Sequence, residues 1–520
     1  MSDASASAFG LTIGGLFRHQ ALYNADRIAL ETPARTLTFG ELNARVNRLA
    51  DALGRLDLRA PSCVAVLSEN RHEYVEVQLA CAKLGIPVAC QNWRLAAEEL
   101  RYCLDLASPA LVFVSERLQG RLAEVGNGTG RCIGFGPDYE HLLRSGSEAE
   151  PLHRALPEDP WVILYTSGST GHPKAAAISH RALAARGAIA VMDAFIHPGR
   201  TFAAWAPMFH IASTDATMIS LINGGKVVLM DGFDAERIAY LVTTQEIGTL
   251  SLMPATITPL MEALAKAARP VLRPLLATGA MADLVPPHQI AQITRLLGAP
   301  YRNSFGSTET GYAPASKGVI PVGVVPSSFS KTQSSLCEVR LVDEQGGCVP
   351  DGEPGEVQVR GPSLFSGYRG ADGGLAAPFL AGWYAMGDVM RRNADGTLDF
   401  IERRKYLIKS GGENIYPAEI ERLLLASPRV ADAAVVRQPD AHWGEVPVAF
   451  VVAADSSLDE AEALQLCRGR IANYKLPKRV VLLAPHELPR TALGKIDRKV
   501  LEERLQRASA QGAPGLQPGS

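Results

Sequence analysis

Leu42, Val46, Leu49 and Leu53 recur at helical spacing behind Thr38 and Glu41, a threonine–glutamate pair that reads as a capping box. Ile13–Tyr23 predicts an earlier helix, and Ile28–Thr38 a hairpin-like stretch between the two. Cys63–Leu67 (CVAVL) reads as a buried strand, the segment through Gln78–Lys83 as a helix, and Ile86–Ala89 and Leu111–Val114 as further buried runs. The alternation continues through Trp161–Tyr165, Thr201–Ala206, Lys226–Met230 and Thr249–Met253. Strand and helix alternating at this spacing predict an α/β fold with mostly parallel sheets covered by helices.

Past Lys331 the pattern shortens. Cys337–Val342, Glu356–Arg360 and Thr397–Ile401, punctuated by DGEPGE and NADG, predict a small β-rich subdomain, antiparallel or barrel-like. After about Arg404 comes a compact α+β pattern: helix Pro417–Ala426, strands Val430–Arg437 and Val446–Val452, helix Leu458–Arg470 and strand Arg479–Leu483. The expected organisation is a large N-terminal domain over 1–402, a junction at 403–405, a small C-terminal domain over 406–505 and a disordered tail over 506–520, where the low-complexity run ASAQGAPGLQPGS stands.

Composition narrows the function classes. The chain has 520 residues, enough for two or three domains, and a formal net charge of -2 from 52 basic and 54 acidic side chains. No basic stripe offers itself to nucleic acid. The eight cysteines form no CxxC pair, which points to reduced thiols and a cytoplasmic location. MSDASASAFG lacks an export signal's charged and apolar regions, and no apolar run approaches the length of a membrane span. His, Cys and carboxylates never recur at zinc-ligand spacing, so no structural metal is expected.

Tyr165–Lys174 (YTSGSTGHPK) carries the densest chemistry. It follows a buried strand, and its glycines and hydroxyls can turn tightly and direct N–H and O–H groups at phosphate oxygens, with Lys174 adding positive charge. It is not the P-loop of an NTPase, because Gly171 precedes His172 and Pro173 rather than Lys and Ser/Thr. Nor does it form a Gly-x-Ser-x-Gly nucleophile elbow. The segment resembles the phosphate-binding signature of the adenylate-forming superfamily, which includes acyl- and aryl-CoA synthetases, peptide-synthetase adenylation domains and beetle luciferases. Four more segments stand in that family's order: Asn303–Gly311 (NSFGSTETG), Trp383–Asp388 (WYAMGD), Glu402–Glu421 (ERRKYLIKSGGENIYPAEIE) and Pro489–Arg498 (PRTALGKIDR). The resemblance spans about residues 11 to 505, and by impression is nearest to aryl-CoA ligases of the 4-chlorobenzoate type.

The resemblance implies the roles. Thr166, Ser167, Gly168, Ser169, Thr170, Gly171 and Lys174 would cradle the phosphates of ATP. Gly279, Ala280 and Met281 with Asn303, Ser304, Phe305, Gly306 and Ser307 would wall the adenine pocket. Thr308 would contact the α-phosphate, Glu309 with Thr170 would hold Mg2+, Asp388 would accept both ribose hydroxyls, and Arg403 would sit beside the nucleotide. Lys405 falls at the pivot. Lys495 would reach in from the small domain to stabilise the meeting of carboxylate and α-phosphate, two anions whose repulsion Mg2+, Lys174 and Lys495 together offset. His210, in PMFH, matches a gate beside the reacting carboxylate and is not assigned as a base.

Ser410, Gly411 and Gly412 resemble the glycine-rich turn of CoA ligases, with Arg94, Trp443, Tyr474 and Lys475 as candidate contacts for the CoA nucleotide. The acid would meet His210, Ser251, Gly279, Ser304, Gly311 and Tyr312, a set that fits an aromatic acid and almost equally a medium-chain aliphatic one. The expected reaction is ATP, carboxylate and CoA to acyl-CoA, AMP and diphosphate through an acyl-adenylate. Two alternatives stay open: loading of a carrier-protein phosphopantetheine, and a catalytically silent nucleotide-binding homologue. A homodimer is only the default of common symmetry.

Overall fold

Every residue of the strand Val64–Leu67 is buried, and so is every residue of its neighbours Val88–Cys90 and Leu111–Val114. Such strands need cover on both faces, which is how parallel sheets are built. In the computed structural model, which describes residues 11–56, 58, 62–125, 131–152, 155–166, 173–266, 275–410, 413–454, 458–491 and 495–510, they lie in an eight-stranded sheet. Its order is Leu375–Ala376, Gly367–Arg369, Lys174–Ser179, Pro160–Thr166, Val88–Cys90, Val64–Leu67, Leu111–Val114, Arg131–Gly134. The last five run parallel, whereas Lys174–Ser179 turns back antiparallel on Pro160–Thr166.

A second sheet orders Thr36–Thr38, Ile28–Glu31, Val227–Leu229 and Phe202–Ala204, and a third orders Thr249–Leu250, Ala277–Thr278, Tyr301–Arg302 and Val319–Ile320. The capping box forms as the sequence predicts. Thr38 Oγ1 accepts from the Glu41 N–H at 3.2 Å, Glu41 Oε2 accepts from the Thr38 N–H at 2.8 Å, and the helix runs Phe39–Gly54. The earlier helix is Ile13–Tyr23. The Lys331 transition leads into an open antiparallel sheet of Glu338–Val342, Pro354–Arg360, Trp383–Arg392 and Phe379–Leu380, with Leu398–Arg403 also on Trp383–Arg392.

The C-terminal unit is a five-stranded sheet in which Gly444–Ala453 pairs antiparallel with Val430–Asp440 and parallel with Arg479–Leu483. Two expectations need correction. The helix predicted over Leu458–Arg470 is only Glu460–Gln465, begun by an Asp459 capping box; the chain then turns toward Gly469, which adopts a φ of 71°. The final helix, Arg498–Ala510, extends past the predicted start of the tail at 506, because Leu501 and Leu505 bury themselves against Val436, Val448 and Phe450. Among the described residues no helix is long and apolar enough to cross a membrane.

Candidate active site

The ends of several strands converge on one cleft. Thr166 closes the strand Pro160–Thr166 and lies opposite Lys174 in the antiparallel pair, so a hydroxyl residue and an ammonium residue face each other at the end of the two strands. Ser167, Gly168, Ser169, Thr170 and Gly171 fall outside the described residues. The third sheet delivers Ser251, Gly279 and Asn303 just past its parallel strands, the usual place for a ligand in an open α/β sheet. Gly279 is sterically required there: it has a φ of 94°, and a Cβ would lie 2.4 Å from the Tyr301 ring.

Ser307–Thr310 forms the turn of a hairpin between Phe305–Ser307 and Gly311–Ala315. Buried Arg186 fixes it, donating to the Thr308 carbonyl at 3.0 Å while pairing with Asp215 at 2.8 Å. Glu309 is only 8 % exposed. Its Oε1 accepts from Tyr368 OH at 2.9 Å and, at 3.4 Å, from Thr166 Oγ1. Tyr368 also contacts Tyr384 OH at 3.1 Å, and its ring lies 5.0 Å from Lys174 Nζ. Burial first, then Glu309 and Tyr384, keep the Tyr368 phenol protonated as a donor. Glu309, far along the chain from Thr166 and Lys174, thus meets Thr166 directly and Lys174 through a tyrosine that sequence reasoning missed.

Asp388 and Arg403 are cross-strand partners, and their side chains approach to 3.1 Å. The pair lacks hydrogen-bond alignment: Asp388 Oδ1 is buried with no hydrogen-bond partner among the described residues. Oδ1 is the oxygen that Arg403 Nε faces in this ion pair, and without an aligned hydrogen bond it keeps the capacity to accept from hydroxyls. Desolvation pushes the Asp388 pKa up to about 6 against the pull of Arg403. Lys495 belongs to the same cleft. Its residue surface is exposed overall, yet desolvation around the ammonium lowers its pKa, with Arg403 adding repulsion and Asp388 attraction. Lys495 also acts on His210, whose pKa falls to about 4, mainly by desolvation. His210 Nδ1 accepts from the Ala212 N–H at 3.2 Å, so the neutral ring carries its proton on Nε2.

The remaining expected residues divide. Asn303 spends its amide on structure: Oδ1 accepts from Lys331 Nζ at 2.6 Å, and Nδ2 donates to the Phe329 carbonyl at 2.9 Å. The Ser304 N–H faces the Ala280 carbonyl at 3.4 Å, Met281 packs on the main core, and Tyr312 stacks obliquely on Phe195 at 4.5 Å. The Ser251 carbonyl accepts from Trp205 Nε1 at 2.9 Å. Arg94 lies over Trp93 at 4.9 Å and Phe209 at 6.0 Å, one residue from His210, and burial lowers its pKa. Ser410 pairs with Gly444, next to exposed Trp443. Tyr474 is exposed, and Lys475 pairs with Glu419 at 2.8 Å. Gly411 and Gly412 lie outside the described residues. Asn70 also escaped the sequence reading: its amide donates to the carbonyls of Ala204, Ala206 and Met230 and accepts from the Met208 N–H, pinning the segment that ends in His210.

The AMP-binding enzyme family matches residues 17–369, and the AMP-binding enzyme C-terminal domain matches residues 419–495. The chain belongs to the AMP-binding enzymes. It is an ATP-dependent, AMP-forming ligase of the acyl/aryl-CoA synthetase class. An indoleacetate–CoA ligase of Aromatoleum aromaticum is 36% identical over 504 residues, covering 92% of this chain and 95% of that protein. ATP-bound MatB of Rhodopseudomonas palustris superposes with a TM-score of 0.80 at 27% identity, covering 94% of this chain and 98% of the other. The o-succinylbenzoate CoA synthetase of Bacillus subtilis, in complex with its acyl-adenylate intermediate, gives 0.79 at 27% identity, covering 94% and 97%.

The Asp388 geometry carries a pH prediction for this AMP-binding enzyme. Its folded pKa, about 6, lies above the ordinary 3.8, so Asp388 favours the folded state most at low pH, and that contribution is lost as pH rises through 6. With Asp388 in the ribose-binding role that the sequence predicts, nucleoside binding would run the other way, since only the ionised carboxylate accepts from both hydroxyls. Adenosine, which has no phosphate to titrate, is expected to bind several-fold more weakly at about pH 5 than at about pH 7.5 by calorimetry. Asp388→Asn should bind weakly and lose the pH dependence; an unchanged slope in that variant would rule Asp388 out.

Proposed function

We propose that this ligase activates an aromatic carboxylic acid and transfers it to free CoA in two steps with a shared cleft. The observation that carries the reading is the convergence of Lys495, Asp388, Arg403 and His210 on one cleft, with Lys174 and Glu309 joined at another end of it through Tyr368. In the first step a carboxylate oxygen attacks the α-phosphorus of ATP, and the bond to diphosphate breaks. Lys174 and Lys495 offset the charge that gathers there. In the second step the CoA thiolate attacks the acyl carbon and AMP leaves.

Neutral His210 lines the acid's approach and cannot act as a cationic anchor near neutral pH. Glu309 fits Mg2+: both of its hydrogen bonds reach Oε1, which leaves Oε2 for a cation among the described residues, and Mg2+ is ordinarily held by one or two carboxylates plus phosphate oxygens. When bound, the metal would neutralise phosphate charge. Glu309, with Thr170 from outside the described residues, would hold it.

The acid class rests on the aromatic surroundings of the acid positions: Phe195 on Tyr312, and Trp205, packed edge-on against Phe233, hydrogen-bonded to the Ser251 carbonyl. It also rests on the relative that ligates indoleacetate. Lys405 is the pivot in this reading. The small domain, 406–505, rotates after adenylation, withdraws Lys495 and brings Ser410, Gly411 and Gly412 to the cleft, with Arg94, Trp443, Tyr474 and Lys475 serving the CoA nucleotide.

The test is AMP and diphosphate release over benzoic, hydroxybenzoic, chlorobenzoic, arylacetic and medium-chain aliphatic acids, each with and without CoA. Catalytic AMP release from aromatic acids only when CoA is present is expected. Turnover confined to aliphatic acids would sink the aromatic assignment. Diphosphate formed once per enzyme, with no turnover on CoA, would instead point to a carrier-protein acceptor, and no adenylate from any acid to a silent homologue.

A further inference from the structure

Glu402 is the last residue before the junction, and its carboxylate is 2 % exposed. Both oxygens are engaged. Oε1 accepts from the Arg403 N–H at 2.7 Å, and Oε2 accepts from the Ala418 N–H at 2.8 Å. Ala418 lies in the first turn of the helix Pro417–Leu425, where a carboxylate is favoured by the helix dipole. Here that carboxylate comes from the opposite side of the junction. Oε2 also lies 3.5 Å from Arg498 Nη1.

Arg498 in turn donates through Nη2 to Glu421 Oε2 at 2.7 Å and lies over the Tyr406 ring at 4.7 Å. Glu421 Oε1 accepts from the Val435 N–H at 2.6 Å. Arg422 donates across the same junction to the Phe400 carbonyl at 3.2 Å. Arg498 and Glu421 both belong to the C-terminal unit, whereas Glu402 belongs to the strand Leu398–Arg403 of the large one.

That division sets what a rotation would cost. Turning about Lys405 leaves the Arg498–Glu421 pair intact and breaks the contacts that cross the junction, those of Glu402 with Arg498 and the Ala418 N–H and that of Arg422 with the Phe400 carbonyl. Arg498 therefore never becomes an unpaired buried charge, the usual large penalty for opening such a cluster. Arg498 follows Lys495 by three residues. The short run between them is pinned by the pairing of Ile496 with Arg490 and by the Asp497 N–H on the Pro489 carbonyl at 2.8 Å. A grip on Arg498 is thus a grip on Lys495.

We infer that Glu402 is a positioning residue for adenylation: by holding Arg498 and the Ala418 N–H across the junction, it latches the small domain in the orientation that presents Lys495. The inference rests on the two-step reading above. Glu402→Gln keeps an acceptor and the side chain's size but removes the charge, so it loosens the latch without emptying the site.

Adenylation, read as acid-dependent ATP–diphosphate exchange, is expected to fall about tenfold, a shift set by the lost preference for one orientation. Thioester formation from a supplied acyl-adenylate and CoA should hold or rise. Arg498→Lys, which keeps the charge but not the fork, should fall between wild type and Glu402→Gln in exchange. Equal losses in both half-reactions, or none in either, would overturn the inference.

A second readout does not depend on turnover. Spin labels on Asp351→Cys and Glu460→Cys, with exposed Cys132 and Cys348 changed to serine, report the separation of the two units. Glu402→Gln should enlarge the population at the second distance, and an unchanged distribution would count against the latch. An enzyme that makes no adenylate from any acid would sink the ligase reading alone, because the label distances would still judge the latch.

Discussion

Lys495→Ala is expected to lower adenylation by about 100-fold or more, while thioester formation from a supplied acyl-adenylate stays within a few-fold of wild type. The asymmetry follows from where the ammonium acts. Its field reaches Asp388 and His210, the residues proposed for the nucleotide and the acid, and its own pKa is lowered by desolvation and by Arg403. Asp388 offsets part of the cost of keeping this cation in a desolvated site beside Arg403, and the meeting of carboxylate and α-phosphate would offset the rest. The second step has no such need, because diphosphate has already left. Single-turnover measurement of each half-reaction decides the matter. Comparable losses in the two would mean that Lys495 serves overall integrity rather than the first step.

Gly306→Ala should be nearly as damaging to adenylation, for a geometric reason. A Cβ at Gly306 would lie 1.9 Å from the Gly311 carbonyl oxygen and 3.0 Å from that of Ala313, both on the facing strand of its own hairpin. Backbone cannot swing aside as a side chain can, so the hairpin must open and displace the turn that carries Ser307, Thr308 and Glu309. Overpacking of this kind costs about 1–3 kcal/mol in stability, and moving a charge-positioning turn by an ångström costs about 100-fold in rate. Diphosphate exchange should collapse while far-ultraviolet circular dichroism stays near wild type. Retained exchange with an unchanged KM for ATP would show that the hairpin absorbs the methyl group.

The elements and the motif-bearing residues were legible in the sequence, whereas the partners that tie them together were not. Ile13–Tyr23, the Thr38 cap and Arg479–Leu483 follow from spacing that a helix or strand imposes locally. Thr166, Lys174, Glu309, Asp388 and Lys495 stand in recognisable runs. Tyr368, which joins Glu309 to Lys174, lies in an ordinary short strand, and Asn70 in an ordinary turn. Their importance arises from contacts across 59 residues for Tyr368 with Glu309 and 138 for Asn70 with Met208, and no local period encodes such contacts. Arg186 was hidden for another reason. It stands in the largely apolar helix His180–Met192, and only its pairing with Asp215 explains a buried guanidinium there. The helix predicted over Leu458–Arg470 stops at Gln465, because the chain turns ahead of Gly469, which adopts a positive φ.

The eight-stranded sheet also has a consequence for synthesis. Lys174–Ser179 takes its outer neighbour, Gly367–Arg369, from about 190 residues further along the chain. At ribosomal speed that segment takes about 10–40 s to emerge, and meanwhile one side of the strand has no native partner. Ala175, Ala176 and Ala177 make up half of that strand. Alanine is a poor strand former and offers little apolar surface, so the waiting edge is a weak template for a foreign strand. The alanine run that follows Lys174 thus makes foreign pairing less favourable while the native partner strand is still being made.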